Sequence, residues 1–233
     1  MTQENSNILE NSDYKNFEEK RWKGREQQLV FRHKIAYELL IKSNSNSFLD
    51  IGCGDGVFEE FIENKNKNIK STGIDFSSTA VESAKERNLN ADFIMADVTS
   101  GGVPFDDNSF DTVIALDVLE HQFAPQDLLK EMKRVAKKFV IVGVPNFSSF
   151  PSRIQMLCGR VPENNRPKKG HVYWFNREKL INLLENGGFK IVVIRMNYQL
   201  ERYFLIGAFL RFLTKIFPGL FALSFVVLAE KEV

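Results

Sequence analysis

Short apolar runs rich in β-branched residues recur along the chain. They are FLDI (48–51), STGI (71–74), DFIM (92–95), DTVIAL (111–116), KFVIVGV (138–144) and KIVVIRM (190–196). Stretches with helical patterning lie between most of them, around 57–64, 78–87, 125–136 and 176–186. Strands that alternate with helices are typical of βαβ units, so we predict an α/β fold with a mostly parallel sheet and helices on both faces.

The two ends of the chain have their own patterns. Residues 16–42 have a helix-forming composition and end at a Ser/Asn cluster, which predicts an N-terminal helix. The last apolar run, 221–229, follows a strand without a crossover helix, so we expect an antiparallel partner at the sheet edge. The polar N-terminus has no signal-peptide pattern, and no run of 18 apolar residues occurs. We therefore expect a cytoplasmic protein without a transmembrane segment.

Composition narrows the possible classes. The 233 residues suit one domain, and 31 basic against 30 acidic residues leave a net charge of +1. This balance gives no reason to expect nucleic-acid binding. The two cysteines, Cys53 and Cys158, cannot form a disulfide framework or a four-ligand zinc site, so no metal is predicted.

A glycine-rich loop follows the first predicted strand, in the sequence LDIGCGDG (49–56). Gly52 and Gly54 let the backbone approach a ligand beside the start of the next helix. A dinucleotide fingerprint would require a small residue where this chain has Val57. Asp50 would repel a pyrophosphate and suits a cationic amino group better.

Two further acids follow the next two strands. Asp75 stands about 20 residues beyond the glycines, where a carboxylate can accept both hydroxyls of a ribose. Asp97 and Val98 follow the third strand, where the acid can accept from an adenine amine while the valine packs on the ring. Together with Asp50, these residues predict a site for a nucleoside with an amino-acid tail.

These motifs resemble those of the class I S-adenosylmethionine (SAM) dependent methyltransferases. The matching segments are LDIGCGDG (49–56), GID (73–75), ADV (96–98), FDTVIALDVLEH (110–121) and RVAKKFVIVGVPN (134–146). The resemblance implies a Rossmann-like seven-stranded sheet with one antiparallel strand near its edge, and SAM as cofactor with S-adenosylhomocysteine as product. It also implies contacts of Asp50, Gly52 and Gly54 with the methionine part, of Asp75 with the ribose and of Phe76, Asp97 and Val98 with the adenine. Leu116 would reach the cofactor from the fourth strand; for Phe76 and Leu116, core packing remains an equal alternative.

A single methyltransferase domain, 1–233, is therefore expected. Its parts are an N-terminal helical cap (1–47), a SAM-binding core (48–144), a substrate insertion (145–175) and a C-terminal helix, strand pair and lid (176–233).

Two histidines are candidates for chemistry because both should lie at the carboxyl ends of the strands. His171, with Tyr173 beside it, is the first candidate for a base or a substrate contact, and His121 is the second. The alternative for His121 is simple packing of the helix start. His33 is expected to be a surface or interface residue.

A second resemblance concerns the subfamily. The segments at 144–162 and 216–222 resemble the methionine-biosynthesis W-protein family, whereas LEH (119–121) and GHVYWFN (170–176) resemble small-molecule and quinone-type methyltransferases. Residues 145–170 carry five basic residues against one acid, which favours either a solvated loop or an acidic substrate. Segment 198–218 has apolar residues at helical spacing and could serve as a lid, a peripheral membrane contact or a homodimer surface.

Three functions remain open at this point. The leading one is methyl transfer from SAM to a small-molecule acceptor, either apolar or acidic. The second is a non-catalytic SAM-binding partner of a biosynthetic enzyme. The third, an NAD-dependent oxidoreductase, is disfavoured by Val57 and by the lack of a recognisable hydride-transfer site.

Overall fold

The computed structural model describes residues 19, 22, 26–99, 101–162, 170–197 and 212–232. Seven strands form one sheet: β1 (Ser47–Ile51), β2 (Lys70–Asp75), β3 (Ala91–Met95), β4 (Phe110–Leu116), β5 (Ala136–Pro145), β6 (Phe189–Asn197) and β7 (Ser224–Lys231). Their order across the sheet is β3-β2-β1-β4-β5-β7-β6. Only β7 runs antiparallel to its neighbours, β5 and β6, among the pairings of these strands.

Helices connect the strands and cover both faces of the sheet. They are α1 (Phe31–Ser43), α2 (Val57–Lys65), α3 (Ser78–Glu86), α4 (Pro125–Val135), α5 (Phe150–Leu157), α6 (Arg177–Asn186) and the short α7 (Pro218–Phe221). A 3₁₀ turn spans Leu119–His121, and residues 212–216 are also helical. The side chains of Ser77 and Asn176 cap α3 and α6 by accepting from the N–H groups of Ala80 and Lys179.

The alternation of buried residues explains the layered core. Along β4, Val113 and Ala115 face a cluster that contains the apolar side of α4 and α6, whereas Ile114 faces the cluster of α1 and α2. Strands β1, β4, β5 and β7 are largely buried on both faces and read as continuous apolar runs, which is why they could be located from sequence.

The expected fold is confirmed, including the antiparallel strand near the edge: β7 lies between β5 and the edge strand β6 and pairs with both. One detail differs from the expectation. The helix α5 lies in a segment for which no element was predicted, and Pro151 in its first turn suits a helix start.

The predicted N-terminal helix is observed as α1, from Phe31. Residues 26–30 are not helical, and most of the earlier part of the prediction lies outside the described residues. None of the helices within the described ranges is long and apolar enough to cross a membrane.

Candidate functional site

The glycine loop joins β1 to α2 in a conformation that glycine adopts readily. Gly52, Gly54 and Gly56 have φ values of 80°, 58° and 77°. The N–H groups of Gly52 and Cys53 both donate to the carbonyl of Ile74, at 2.7 and 3.1 Å, which ties the loop to β2. A Cβ atom on Gly52 would stand 2.5 Å from Cγ2 of Val118. The loop is therefore held close to the chain that follows β4.

Asp75 lies at the end of β2 and is bonded to the glycine loop. Its Oδ2 accepts from the N–H of Gly54 at 3.0 Å, and its Oδ1 accepts from the N–H of Ser77 at 2.9 Å. The residue is 7% exposed. These two donors orient the carboxylate of Asp75 beside the loop.

A second acid at the loop, Asp50, forms a buried pair with Glu59 of α2. Burial is the largest cause that raises the pKa of Asp50 well above its usual value, and the charges of Glu59 and Asp75 add to it. Burial likewise raises the pKa of Glu59 to about 8. Within the described residues, Oδ1 of Asp50 and both carboxylate oxygens of Glu59 accept no hydrogen bond from an N–H or O–H group, so a proton shared between the two acids would satisfy the pair.

The other residues predicted to bind the cofactor lie at or just after the carboxyl ends of β2, β3 and β4. Asp97 follows β3, and its Oδ1 accepts from the N–H and the hydroxyl of Thr99. Val98 packs against the main core cluster, and Leu116 packs against the α1 and α2 cluster. Phe76 is half-buried directly after Asp75. Asp75 ends β2 and Asp97 follows the neighbouring strand β3, and the N–H of Ala96 donates to the carbonyl of Asp75.

Residues before α1 cover part of the glycine loop. Cη2 of Trp22 and Oε1 of Gln27 lie 2.7 and 2.8 Å from the position that a Cβ on Gly54 would occupy. Glu19 accepts from the N–H of Ser78 at 2.7 Å and from the hydroxyl of Ser77 at 3.0 Å. The sequence predicted a helical cap here but not these contacts, because they depend on how the segment folds back.

A second cluster forms where the chain leaves β4. The rings of His121 and His171 meet edge to face with centroids 4.9 Å apart, and Nε2 of His171 lies 3.9 Å from Oε1 of Glu120. The carbonyl of Glu120 accepts from the N–H groups of Val172 and Tyr173, both at 2.9 Å. Nδ1 of His121 is 3.0 Å from the carbonyl of Gly170. These bonds attach residues 170–173 to the 3₁₀ turn and bring together two histidines that are 50 positions apart.

Tyr173 lies beside this cluster, packed against the core. Its ring meets that of Phe175 with centroids 4.9 Å apart, and Nζ of Lys179 lies 4.5 Å from its centroid. The three residues predicted for chemistry therefore belong to one region, at the carboxyl end of β4.

Charged residues surround the histidine cluster. Glu120 is 1% exposed, and burial raises the pKa of its carboxyl well above the usual value, with a further contribution from Asp117. Arg32 of α1 forms an ion pair with Asp117. Asp117 has a positive φ of 59°, which is uncommon for a residue other than glycine. Such strain is stored most often at functional positions.

Sequence reasoning missed Glu59 and Glu120 as buried acids. Glu59 lies between Phe58 and Ile62 on the buried side of α2, so the helical period of the apolar residues was the signal that could have found it. The prediction for His33 was wrong. It is 6% exposed and stacks on Phe58 at 5.4 Å, and burial together with the charge of Arg32 lowers its pKa to about 4.

The predicted insertion is only partly described. Its helix α5 exposes Ile154, Met156 and Leu157, with 42%, 42% and 82% of their surfaces accessible. Four of its six charged residues, at positions 163, 166, 168 and 169, lie outside the described residues, as do residues 198–211 of the predicted lid. The charge expected for the insertion and the three alternatives for the lid therefore remain predictions.

Solved structures of other proteins share the fold of this chain. A solved structure of magnesium protoporphyrin IX methyltransferase from Synechocystis with bound S-adenosylhomocysteine has a TM-score of 0.61 at 17% identity, covering 93% of this chain and 94% of that one. A methyltransferase structure from Methanosarcina mazei has a TM-score of 0.57 at 24% identity, covering 80% and 92%. The seven-stranded fold is thus that of class I SAM-dependent methyltransferases.

Curated relatives match parts of the chain. A demethylmenaquinone methyltransferase from Thermotoga maritima is 29% identical over 126 residues, 52% of this chain and 54% of the relative. A Mycobacterium tuberculosis protein described as a probable S-adenosylmethionine-dependent methyltransferase is 26% identical over 159 residues, 68% and 54%. The chain spans about half the length of the curated relatives it matches. The family model of the methionine biosynthesis protein MetW matches residues 32–221, from α1 to the end of α7. The chain belongs to the MetW family.

Proposed function

We propose that this protein is a methyltransferase that transfers a methyl group from SAM to a small-molecule acceptor and releases S-adenosylhomocysteine. The observation that carries the proposal is the bond between Gly54 and Asp75, which fixes a carboxylate against a loop of positive-φ glycines. That arrangement offers acceptors for ribose hydroxyls next to a backbone surface without side chains.

The buried acid Asp50 fits the cationic end of the same ligand. Its Oδ1 is shielded from solvent and accepts no hydrogen bond within the described residues. A cationic amino group beside Asp50 and Glu59 would favour the ionised form of the pair and supply the missing donors. Asp97 and Val98 are then assigned to the adenine, in line with their place after β3.

The chain's own residues then have a limited chemical task. SAM, when bound, supplies a methyl group on a sulfonium whose leaving group is neutral. The protein must place the acceptor at near-attack distance and exclude water. His171, His121 and Tyr173 are assigned to the acceptor side, where His171 is placed to take a proton if the acceptor must lose one.

Calorimetric titration of the purified protein with SAM, S-adenosylhomocysteine and NAD tests the proposal. We expect saturable binding of the first two and none of NAD. Labelled SAM incubated with a metabolite extract should then label at least one small molecule, which mass spectrometry identifies. A folded sample that binds neither SAM nor its product contradicts the proposal.

We further propose that the methyl acceptor is an apolar aromatic molecule. The support for this acceptor is a partly exposed aromatic pair, one member of which is close in sequence to His171: Phe147 stacks on Trp174 at 5.9 Å, and Trp174 is 49% exposed. The demethylmenaquinone methyltransferase among the relatives carries an acceptor of this kind in its name. A panel of phenols, quinols and carboxylic acids would separate the apolar from the acidic alternative by turnover.

A non-catalytic SAM-binding partner of another enzyme is the second candidate. Its support is membership of the MetW family together with the exposed apolar residues of α5, which could serve as a docking surface for a partner or a second copy. Purification of the tagged protein from its source at a fixed stoichiometry with one enzyme, with SAM binding but no methyl transfer, would favour this candidate. A labelled small-molecule product would count against it.

A further inference from the structure

We propose that Glu120, His121 and His171 form a binding site for one divalent transition-metal cation. One ligand atom from each of the three residues lies within 4.8 Å of the others. The cluster is built from two separate parts of the chain, the 3₁₀ turn after β4 and the segment at 170–173, which the backbone bonds described above hold together.

The burial of the Glu120 carboxylate also supports a cation site. Glu120 is 1% exposed, and neither of its carboxylate oxygens accepts a hydrogen bond from the part of the chain that the structure describes. Nε2 of His171, at 3.9 Å from Oε1, is beyond hydrogen-bonding distance. A carboxylate buried in this way carries a large desolvation cost, which a cation coordinated by its oxygens would offset.

The hydrogen bond of His121 suits a metal ligand. The carbonyl of Gly170 can only accept, so Nδ1 of His121 carries the proton when the two bond at 3.0 Å. In this tautomer Nε2 is the unprotonated ring nitrogen, which is the form that coordinates a metal ion. Metal-ligating histidines commonly donate their other N–H to a carbonyl or a carboxylate in this manner.

The ligand set of two imidazoles and one carboxylate indicates which metal ions the site would bind. This donor set is typical of Zn²⁺, Fe²⁺ and related ions, with at least one coordination position left for a ligand from outside the protein. Bonds of about 2.1 Å place two ligands of a tetrahedral ion about 3.4 Å apart. Side-chain movements on the order of 1 Å would therefore close the cluster around an ion.

The site also bears on the acceptor, a consequence that rests on the proposed function. Val118, two residues before Glu120, stands over Gly52 of the glycine loop. The turn that carries Glu120 and His121 therefore directly follows a residue that contacts the loop assigned to the cofactor. A metal there would polarise a hydroxyl of the acceptor and lower its pKa, so that the proton passes to solvent water. His171 would then act as a metal ligand and not as the base.

Metal binding can be measured without turnover. The protein is stripped with a chelator, dialysed and titrated by calorimetry with Zn²⁺ and with Mn²⁺, each in the absence of SAM. We expect one equivalent of Zn²⁺ to bind, with a dissociation constant that increases at least tenfold in Glu120→Gln and in His171→Asn. A Cys158→Ser variant controls for the exposed thiol and should bind as the wild type does.

The outcomes separate this proposal from the proposed function. SAM titration of the same samples reports on the cofactor site by itself, and thermal melting confirms that each variant is folded. Binding of Zn²⁺ that is lost in Cys158→Ser but retained in both Glu120→Gln and His171→Asn overturns the metal site, as does a folded wild type that binds no divalent ion. In either case, retained SAM binding leaves the methyltransferase proposal intact.

Discussion

The N–H of Gly54 donates to Oδ2 of Asp75 at 3.0 Å, across 21 positions of the chain. This bond links the glycine loop to the end of β2, so we expect a ligand that binds on the loop to contact Asp75 as well. The expected effects of substitutions in the loop depend on this bond and on the contact between the loop and the turn after β4.

The substitution Asp75→Ala should weaken SAM binding at least tenfold. It removes the acceptors proposed for the ribose and leaves the N–H groups of Gly54 and Ser77 without their carboxylate. Calorimetry measures the affinity, at a temperature where thermal melting shows the variant to be folded. Asp92→Ala, which removes an exposed acid of β3, is the matched control and should bind SAM as the wild type does. Unchanged affinity in Asp75→Ala would refute the ribose assignment.

The substitution Gly52→Ala should both destabilise the protein and weaken SAM binding. The φ of 80° costs about 1 kcal/mol for a residue with a Cβ, and that atom would stand 2.5 Å from Cγ2 of Val118. Adding Val118→Ala should restore part of the unfolding free energy, since it relieves the clash but not the backbone strain. Denaturant unfolding measures both variants; equal stabilities of Gly52→Ala and the double variant would show that the clash is not what destabilises the loop.

His171→Ala should lower turnover at least tenfold while SAM affinity stays within about twofold of the wild type. The ring lies beside Glu120, whereas the bonds that fix Asp75 are made by the N–H groups of Gly54 and Ser77. Once an acceptor is identified, initial rates and SAM titration of the same preparation check the two halves of this expectation. Equal turnover removes His171 from the acceptor side.

Glu59→Gln should change how stability depends on pH. The pKa of Glu59 is about 8 in the folded chain against a usual value near 4.5, so the stability that its neutral form contributes is full below pH 4.5 and is lost as the pH rises through 8. Glutamine does not ionise, and the variant should therefore gain unfolding free energy relative to the wild type between pH 5 and pH 8. The slope is at most about 1.4 kcal/mol per pH unit. Denaturation curves at the two pH values measure the difference, and a constant difference would contradict the assignment.

Trp22 should report on SAM binding through its fluorescence. Its indole covers Gly54, so a ligand on the loop must move it or pack against it. We expect the change in emission on addition of SAM to disappear in Trp22→Phe. The matched control is Trp174→Phe, whose ring stacks on Phe147. If the change in emission disappears in Trp174→Phe but persists in Trp22→Phe, the residue that responds to SAM is Trp174 in the insertion, which contradicts this prediction.

The chain order of strands and helices was predictable because their signals are local. Buried parallel strands read as uninterrupted apolar runs, and the glycines and acids that follow them occupy fixed positions after strand ends. From these, the sheet, the glycine loop and the trio Asp50, Asp75 and Asp97 were located from sequence. The pairing of β7 with both β5 and β6 was not predicted, since pairing partners depend on how distant segments meet.

Only the tertiary structure determined which groups are in contact with one another and shielded from solvent. His121 and His171 could each be predicted at the carboxyl edge of the sheet, but their contact depends on the bonds between residues 170–173 and the turn after β4. The burial of Glu59 and Glu120 likewise results from packing by helices and loops far away in sequence. Sequence by itself therefore determined the fold and the chemistry of the cofactor loop, because both follow from local pattern. The tertiary structure decided the composition of the acceptor side, because desolvation and proximity exist only after the chain has folded.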